Sequence, residues 1–476
     1  MSMSAPGYEM GARAVLKELL TYKSGALGLG IVMFLLALSF YTVITIPYGR
    51  AIALWRGEGG IWLDKPRNAM PIWAKYILGR NLPENIVMDT REKGVGIVKA
   101  ITPIPGTNFK KLHVEFTFRY PYDGFPSELN LFFNAKYEEA APLLYIYWVK
   151  PEGEEIKLLD YVLRAPDDTL YLSINPEAYK NALKHVVASV GEPETEIPIE
   201  VCLFGVEDES ILSTETAKPL KGVYKLVIRG TLFGEASDID VKMVIYGRVW
   251  GLAGTDHLRR DLLIALLWGT PVAIAFGLSA SLTISAIQLI IATISGYYGG
   301  KVDALVQRLT EIYMIIPFLP FLILLATFYK LTIWIILAVV IILSIFGGGI
   351  KSTRALVMQI KEYPYIEAAK AYGASDKRII FLYIIPKILP PRVPGLIGAI
   401  PGYVFLEAGL SFLGLGDPYL PTWGKVINDA YSNGALYKGY YYWVLEPSFM
   451  LILTALAFAF LGFALDKIVN PRLREM

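Results

Sequence analysis

EYPYIEAAKAYGASDKRIIFLYIIP, residues 362–386, is a short charged island between long apolar segments. Pro364 fixes its own φ and suits the first turn of a helix. Ala368, Ala369 and Ala371 are strong helix formers, and Gly373 is placed to end that helix in a left-handed cap. Ser375 is placed to N-cap a second helix directly afterwards. The spacing predicts a short helix with a small-residue face, which lets another backbone approach closely, presented by a turn and a following helix. Such an element suits docking, not catalysis.

Glu367, Ala368 and Ala369, with Gly373 four residues after Ala369 and Ile-Ile-Pro ending at Pro386, resemble the EAA loop of binding-protein-dependent ABC importer permeases. In that family the cytoplasmic loop supplies a coupling helix that sits in a groove of the ATPase subunit and transmits its closure to the membrane helices. The resemblance implies ATPase-coupling roles for Tyr365, Glu367, Ala368, Ala369, Gly373 and Asp376. An ordinary amphipathic loop helix is the competing reading of Glu-Ala-Ala alone. The glycine and proline at the expected offsets favour coupling.

With 54% hydrophobic residues in 476 and a mean hydropathy of +0.45, the chain is too apolar for an ordinary soluble protein. Yet 18% of its residues are charged, so a membrane part plus a polar domain is the natural division. A formal net charge of +2 gives no sign of a nucleic-acid partner. The one cysteine, Cys202, rules out an intramolecular disulfide. His113, His185 and His257 are scattered without metal-site spacing, which argues against a structural zinc or a Cys/His catalytic pair. No catalytic residue or metal ligand is expected.

Residues 1–24 are polar, with Arg13, Lys17 and Lys23, and residues 25–47 are an apolar run long enough to span a bilayer. That run is longer than a usual signal-peptide core and lacks a small-x-small cleavage site, so it reads as an anchor helix with its N-terminus inside. Residues 48–250 contain no spanning run and read as a soluble domain. Its first part, 62–86, mixes Pro, Trp and Tyr and fits either a path along the membrane surface or one leading away from it. KLHVEFTFRY (111–120), ELNLFFNAKY (128–137), PLLYIYWVK (142–150), GVYKLVIRGTLF (222–233) and DIDVKMVIYGRVW (238–250) then alternate β-branched and aromatic residues between turn residues. They read as antiparallel strands of a β-sandwich, with a small helix near 177–189. Core packing and strand propensity explain most of the Tyr and Phe residues, ahead of a sugar or peptide platform.

GLAGTDHLRRD, 251–261, resembles the GTDELGRD segment of the dipeptide, oligopeptide and nickel permease subgroup, with Gly254, Thr255, Asp256, Leu258, Arg260 and Asp261 in place. His257 departs from it, and Arg259 stands where the family has glycine. A plain helix start with Thr255 or Asp256 as N-cap uses the same residues. Residues 262–300 would reach about 58 Å as one straight helix, so Gly269 and Pro271 are read as a break, with a spanning helix over 271–295. GYYGGKVDAL (296–305) again resembles the subgroup, and apolar segments follow at 312–329 and 331–346. GGGIKST (347–353) lacks the glycine directly before lysine that a phosphate loop needs, and it follows a membrane segment. EAGLSFLGLG (407–416), Pro421 to Gly424 and the NPRL ending complete the resemblance. Glu407, a carboxylate in an apolar helix, is carried as a pathway residue with Ser411, against a packing role near the outer helix end. The last spanning run is 449–465.

The fold class expected is a mainly α polytopic membrane protein of the type I ABC importer permease kind, with about six transmembrane helices and an inserted extracytoplasmic β-sandwich-like domain. The segments are 1–24 (cytoplasmic), 25–47 (anchor), 48–250 (outer domain) and 251–476 (permease), with a coupling loop at 347–392. That loop carries Lys351, Arg354, Lys361, Lys370, Lys377, Arg378, Lys387 and Arg392, and the tail adds Lys467, Arg472 and Arg474. The 416–447 connection has only Lys425 and Lys438. The positive-inside rule therefore puts both termini and the loop in the cytoplasm of a multi-pass cell-membrane protein. The resemblance implies half of an ATP-driven importer's translocation pathway, with a second homologous permease, two cytoplasmic ABC ATPases and an extracytoplasmic solute-binding protein as partners. It implies no cofactor in this chain, with ATP and magnesium on the ATPases. The cargo in that subgroup is a peptide, an oligosaccharide or nickel. The alternative from another class is a membrane-anchored receptor or sensor whose β domain binds ligand.

Overall fold

The computed structural model describes residues 12–469, apart from 93, 138, 139, 194, 330 and 331. The NPRL ending, Arg472, Arg474 and the first eleven residues of the 1–24 segment lie outside the described residues. The chain divides into two units, Gly57–Leu263 and the membrane unit Met1–Arg56 with Ile264–Met476.

Among the described residues four helices are long and apolar enough to cross a membrane: Lys23–Thr45, Leu262–Tyr298, Asp376–Phe412 and Tyr442–Val469. Two bent pairs raise the total to six if each is one span. They are Gly300–Ile315 with Phe318–Phe328 (72°) and Ile333–Ser344 with Gly348–Ile360 (46°). The first bend falls at Ile316 and Pro317, which are extended, so the apolar stretch 312–329 straddles two helices. The anchor helix packs on the final helix through a small residue. A Cβ at Gly28 would stand 2.8 Å from the Ala457 carbonyl oxygen, the close backbone approach that membrane helices favour.

The expected break at Gly269 and Pro271 does not occur. Leu262–Tyr298 is one helix with Pro271 inside it. A proline removes a single backbone hydrogen bond, which neighbouring groups in a helical bundle can offset. Gly269 serves packing instead, because a Cβ there would meet Trp423 Cδ1 at 2.2 Å. The Trp423 indole N–H donates to the Leu266 carbonyl at 3.0 Å. GGGIKST opens the helix Gly348–Ile360, and the element before it is a helix, not the strand of a phosphate loop.

Among its described residues the other unit carries nine strands: β1 (Ile86–Asp89), β2 (Ile97–Pro103), β3 (Phe109–Tyr120), β4 (Glu128–Lys136), β5 (Leu143–Val149), β6 (Glu155–Val162), β7 (Asp167–Tyr171), β8 (Gly222–Phe233) and β9 (Asp238–Tyr246). They form two antiparallel sheets, ordered β1-β9-β4-β7 and β2-β3-β8-β5-β6. Alternation puts Leu112, Val114, Phe116 and Phe118 of β3 inside, with Leu131 and Phe133 of β4 in the same core, so the two sheets make a sandwich. Tyr120, Trp148, Phe204 and Tyr224 are buried together there. The Trp148 indole N–H donates to the Leu203 carbonyl at 3.0 Å, which satisfies its polar atom inside the core. Helix Pro176–Ser189, capped by Asn175, covers the expected 177–189.

The unit's limits differ from 48–250. Tyr48–Arg56 is a helix of the membrane unit, whereas 251–263 belong with the sheets. The reason is that both ends of the unit zip together. Met70 bridges Val249 in parallel, Ile72 N–H donates to the Gly251 carbonyl at 2.9 Å, and Thr255 Oγ1 donates to the Pro66 carbonyl at 2.7 Å.

Candidate functional site

The helix at the centre of the 362–386 island is Pro364–Ala371, with Pro364 in its first turn. Gly373 has φ +77. Its N–H donates to the Lys370 carbonyl at 2.9 Å, and Ala374 N–H reaches the Ala369 carbonyl at 3.0 Å. Those two bonds are a Schellman cap, which closes the helix through a left-handed residue. Ser375 Oγ then accepts from Arg378 N–H at 3.4 Å and starts the next helical run. Ile366 and Ala369 face inward. Ile366 joins a cluster with Val357, Ile360, Ile379 and Ile384. Tyr365, Glu367, Ala368 and Tyr372 are exposed. The small-residue face is thus divided: Ala368 is open to a partner, while Ala369 lets the helix lie close to its own protein.

Asp376 anchors the loop to a membrane helix by accepting from the Tyr297 hydroxyl at 2.7 Å. Lys370 Nζ lies 5.5 Å above the same tyrosine ring. Two contacts thus tie the loop to the end of the Leu262–Tyr298 helix. Tyr297 carries no sequence signal of this role beyond its place in the aromatic-Gly-Gly turn. A second brace is Asp303, which accepts from Ser295 Oγ at 2.6 Å and from Arg354 Nε at 2.5 Å.

The 251–261 turn is a buried polar knot. Thr255 and Asp256 are fully buried, and Arg259 and Arg260 nearly so. Asp256 accepts from Leu258 N–H (2.9 Å), Arg260 N–H (2.8 Å) and Arg260 Nε (2.5 Å). Burial pushes its carboxyl up and the Arg260 guanidinium pulls the other way. Burial also raises Asp261, opposed by Leu263 N–H and Lys65. The cap of the long helix falls on Asp261, which accepts from Leu263 N–H at 2.9 Å, rather than on Thr255 or Asp256. Those two are spent holding the turn. Gly254 has φ +72. Arg259, at the family's glycine position, keeps a left-handed backbone at φ +66. Its guanidinium pairs with Glu128, donates to the Lys65 carbonyl at 2.6 Å and stacks 4.2 Å over the Tyr246 ring. A strain of about 1–2 kcal/mol is offset by contacts that glycine cannot make.

Glu407 and Ser411 are both buried on one helix, and Ser411 Oγ donates to Glu407 Oε1 at 2.8 Å. Neither lines the 570 Å³ cavity of the membrane unit. The following Asp417 accepts from Tyr419 N–H (2.9 Å), Leu420 N–H (3.2 Å) and Ile333 N–H (3.2 Å), so it ties this segment to a third helix.

In the sheet unit His185 Nε2 lies 3.3 Å from Glu154 and 3.0 Å from Glu207, a juxtaposition that linear spacing concealed. Lys150 pairs with the same Glu207 and supplies the cation. Burial raises the Glu207 carboxyl, but Lys150 and His185 together hold it below its usual range. The cluster is an ion-pair network.

Residues 288–475 match the family described as the binding-protein-dependent transport system inner membrane component, and the match lies wholly within the membrane unit and includes the 362–386 island. The chain is 31% identical over 225 residues to the dipeptide transport system permease protein DppC of Bacillus subtilis (strain 168), covering 47% of this chain and 69% of that one. It is 33% identical over 227 residues to the oligopeptide transport system permease protein OppC of Haemophilus influenzae, covering 46% and 70%. It is 30% identical over 223 residues to the glutathione transport system permease protein GsiD of Pectobacterium atrosepticum, covering 47% and 73%. This chain belongs to that permease family. The matched part of the permease thus includes the helix Pro364–Ala371, while the nine-stranded unit lies outside the residues matched to the family.

Proposed function

We propose that this permease forms half of the translocation pathway of an ATP-driven peptide importer, paired with a second permease and coupled through the 362–386 loop to two cytoplasmic ATPases. The observation that carries the reading is the Schellman-capped helix with Glu367 and Ala368 turned outward and Asp376 tied to Tyr297. It joins an exposed docking face to a spanning helix. The relatives' names supply the peptide class. ATP binding closes the ATPases, the loop shifts, and the pathway turns outward to accept cargo from a solute-binding protein, which the nine-stranded unit guides. Permease copurified with its ATPases and reconstituted in vesicles is expected to take up peptide only with ATP and binding protein. Uptake of oligosaccharide or nickel but not peptide would overturn the cargo, and a permease that copurifies without ATPases would overturn the importer reading.

The excess of Lys and Arg in 347–392 puts that loop in the cytoplasm and 57–263 outside. Cysteines at Asp167 and Lys377, both exposed, test this against a quiet background, because Cys202 is buried. An impermeant thiol reagent should label the Asp167 position in intact cells and reach the Lys377 position only after permeabilisation. The reverse pattern would invert the orientation.

A further inference from the structure

The stretch 62–86, whose course the sequence leaves open, is fastened to the other end of the sheet unit. Met70 N–H donates to the Arg248 carbonyl at 2.9 Å and Trp250 N–H to the Met70 carbonyl at 2.8 Å. The Trp73 indole N–H then donates to the Leu252 carbonyl at 2.8 Å. The short helix Ala74–Leu78 follows, with Ala74 buried and Lys75 paired to Glu84. Trp73, Tyr76 and Ile77 are spaced to share its other side. All three are exposed, Tyr76 at 85% and Ile77 at 75%.

The neighbouring turn is built inside out. Among the described residues 251–261, Asp256, Arg259 and Arg260 are buried, and the exposed side chains are Leu252 (68%) and Leu258 (55%). A turn standing in water does the reverse, because burying charge is costly and charged side chains are the ones that water keeps outside. The two leucines stand where a membrane-crossing helix begins. Leu262 opens that helix, and its N–H donates to the Gly254 carbonyl at 3.1 Å, two residues from Leu252. From Leu262 to Gly300 the sequence holds no charged residue. The exposed apolar face therefore adjoins the start of the charge-free, bilayer-crossing stretch.

We propose that Trp73, Tyr76, Ile77, Leu252 and Leu258 form a lipid-contact face that seats the sheet unit in the headgroup layer of the bilayer. The chemistry fits that depth. The one donor of Trp73 is already used inside the unit, so its ring enters an apolar layer without an orphaned N–H. Tyr76 offers an apolar ring with a polar tip, and tryptophan and tyrosine collect at the membrane–water boundary for this reason. Arg80, exposed just past the helix, keeps its charged head among the lipid phosphates. The two ends of the unit are zipped together, so on its chain junctions alone the unit would pivot about that end. Lipid contact beside the junctions restrains the tilt.

The test uses the full-length permease, with the subunits that copurify with it, in lipid nanodiscs. A fluorescent thiol label is placed on Ile77→Cys, on Leu252→Cys and, as the control, on Asp167→Cys, against a buried Cys202. Asp167 faces Asn134, about 20 Å along β4 from the Glu128 that pairs with Arg259. Quenching by a lipid spin-labelled just below its headgroup is compared with quenching by iodide in the water. The lipid-to-iodide ratio is expected to be several-fold higher at Ile77 and Leu252 than at Asp167. Tyr76→Cys repeats the measurement on the same helix side in case Leu252→Cys disturbs the turn. A ratio at Ile77 and Tyr76 equal to that at Asp167 overturns the proposal, because the face then stands in water. Shielding of these positions from both quenchers overturns it as well and assigns the face to another subunit.

Discussion

Gly373→Val is expected to leave ATP hydrolysis running while peptide uptake per ATP falls about tenfold. The prediction separates backbone conformation from packing. A Cβ at Gly373 would meet nothing within 4 Å, so a larger side chain has space. Its backbone, however, is held at φ +77, where an L-residue costs roughly 1–2 kcal/mol and a β-branched one more. That penalty falls on the Schellman cap, which sets the angle between the docking helix and the run that begins at Ser375. A shift of about 1.4 kcal/mol is a tenfold change in population. Gly373→Asn, which tolerates the left-handed region, should keep most of the coupling, and Gly373→Ala should fall between. Glu367→Lys acts differently, because Glu367 is exposed. It should weaken ATPase docking and lower hydrolysis and uptake together. Uptake and phosphate release measured on the same vesicles distinguish these outcomes. Wild-type coupling in Gly373→Val would sink the assignment of this loop.

Much of that loop was legible in the sequence because its geometry is local. Pro364, Gly373 and Ser375 act within a few residues of where they stand, so the start, the cap and the restart of the helix follow from residue chemistry alone. The long strands β3, β4, β5, β8 and β9 were legible for a similar reason, since one buried face imposes alternation. β1 and β7 are too short to show a period, and β2 and β6 carry charged or exposed side chains at the sheet edges. Pro271 misled because a proline breaks an isolated helix far more readily than one held by neighbours. The Tyr297–Asp376 contact joins residues distant in the chain and carries no spacing signal. Arg259 shows the remaining limit: a left-handed arginine is unfavourable locally and is held by Glu128, Lys65 and Tyr246, all supplied by the fold.

Asp256→Ala is expected to cost the nine-stranded unit about 3–5 kcal/mol, the usual loss when one partner of a buried ion pair is removed. Asp256 is fully buried and accepts three hydrogen bonds, two from backbone N–H groups of its own turn and one from Arg260 Nε. The alanine variant takes away all three acceptors and leaves the nearly buried Arg260 without that carboxylate. Asp256→Asn keeps an oxygen for Leu258 N–H and Arg260 N–H but turns an amide donor toward Arg260 Nε, so its loss should be smaller though still clear. Both changes act where the ends of the unit are zipped. Thr255 holds Pro66 and Ala69 one residue before, and Asp261 caps the long helix five residues after. The damage should therefore appear as opening of 57–85 and 246–263 together. Thermal melting and limited proteolysis of the purified permease read this directly. The Gly373 variants, altered in the other unit, should melt like wild type in the same assay. An Asp256→Ala permease with unchanged melting and no new cleavage in either segment would show that the backbone bridges hold the turn without the ion pair.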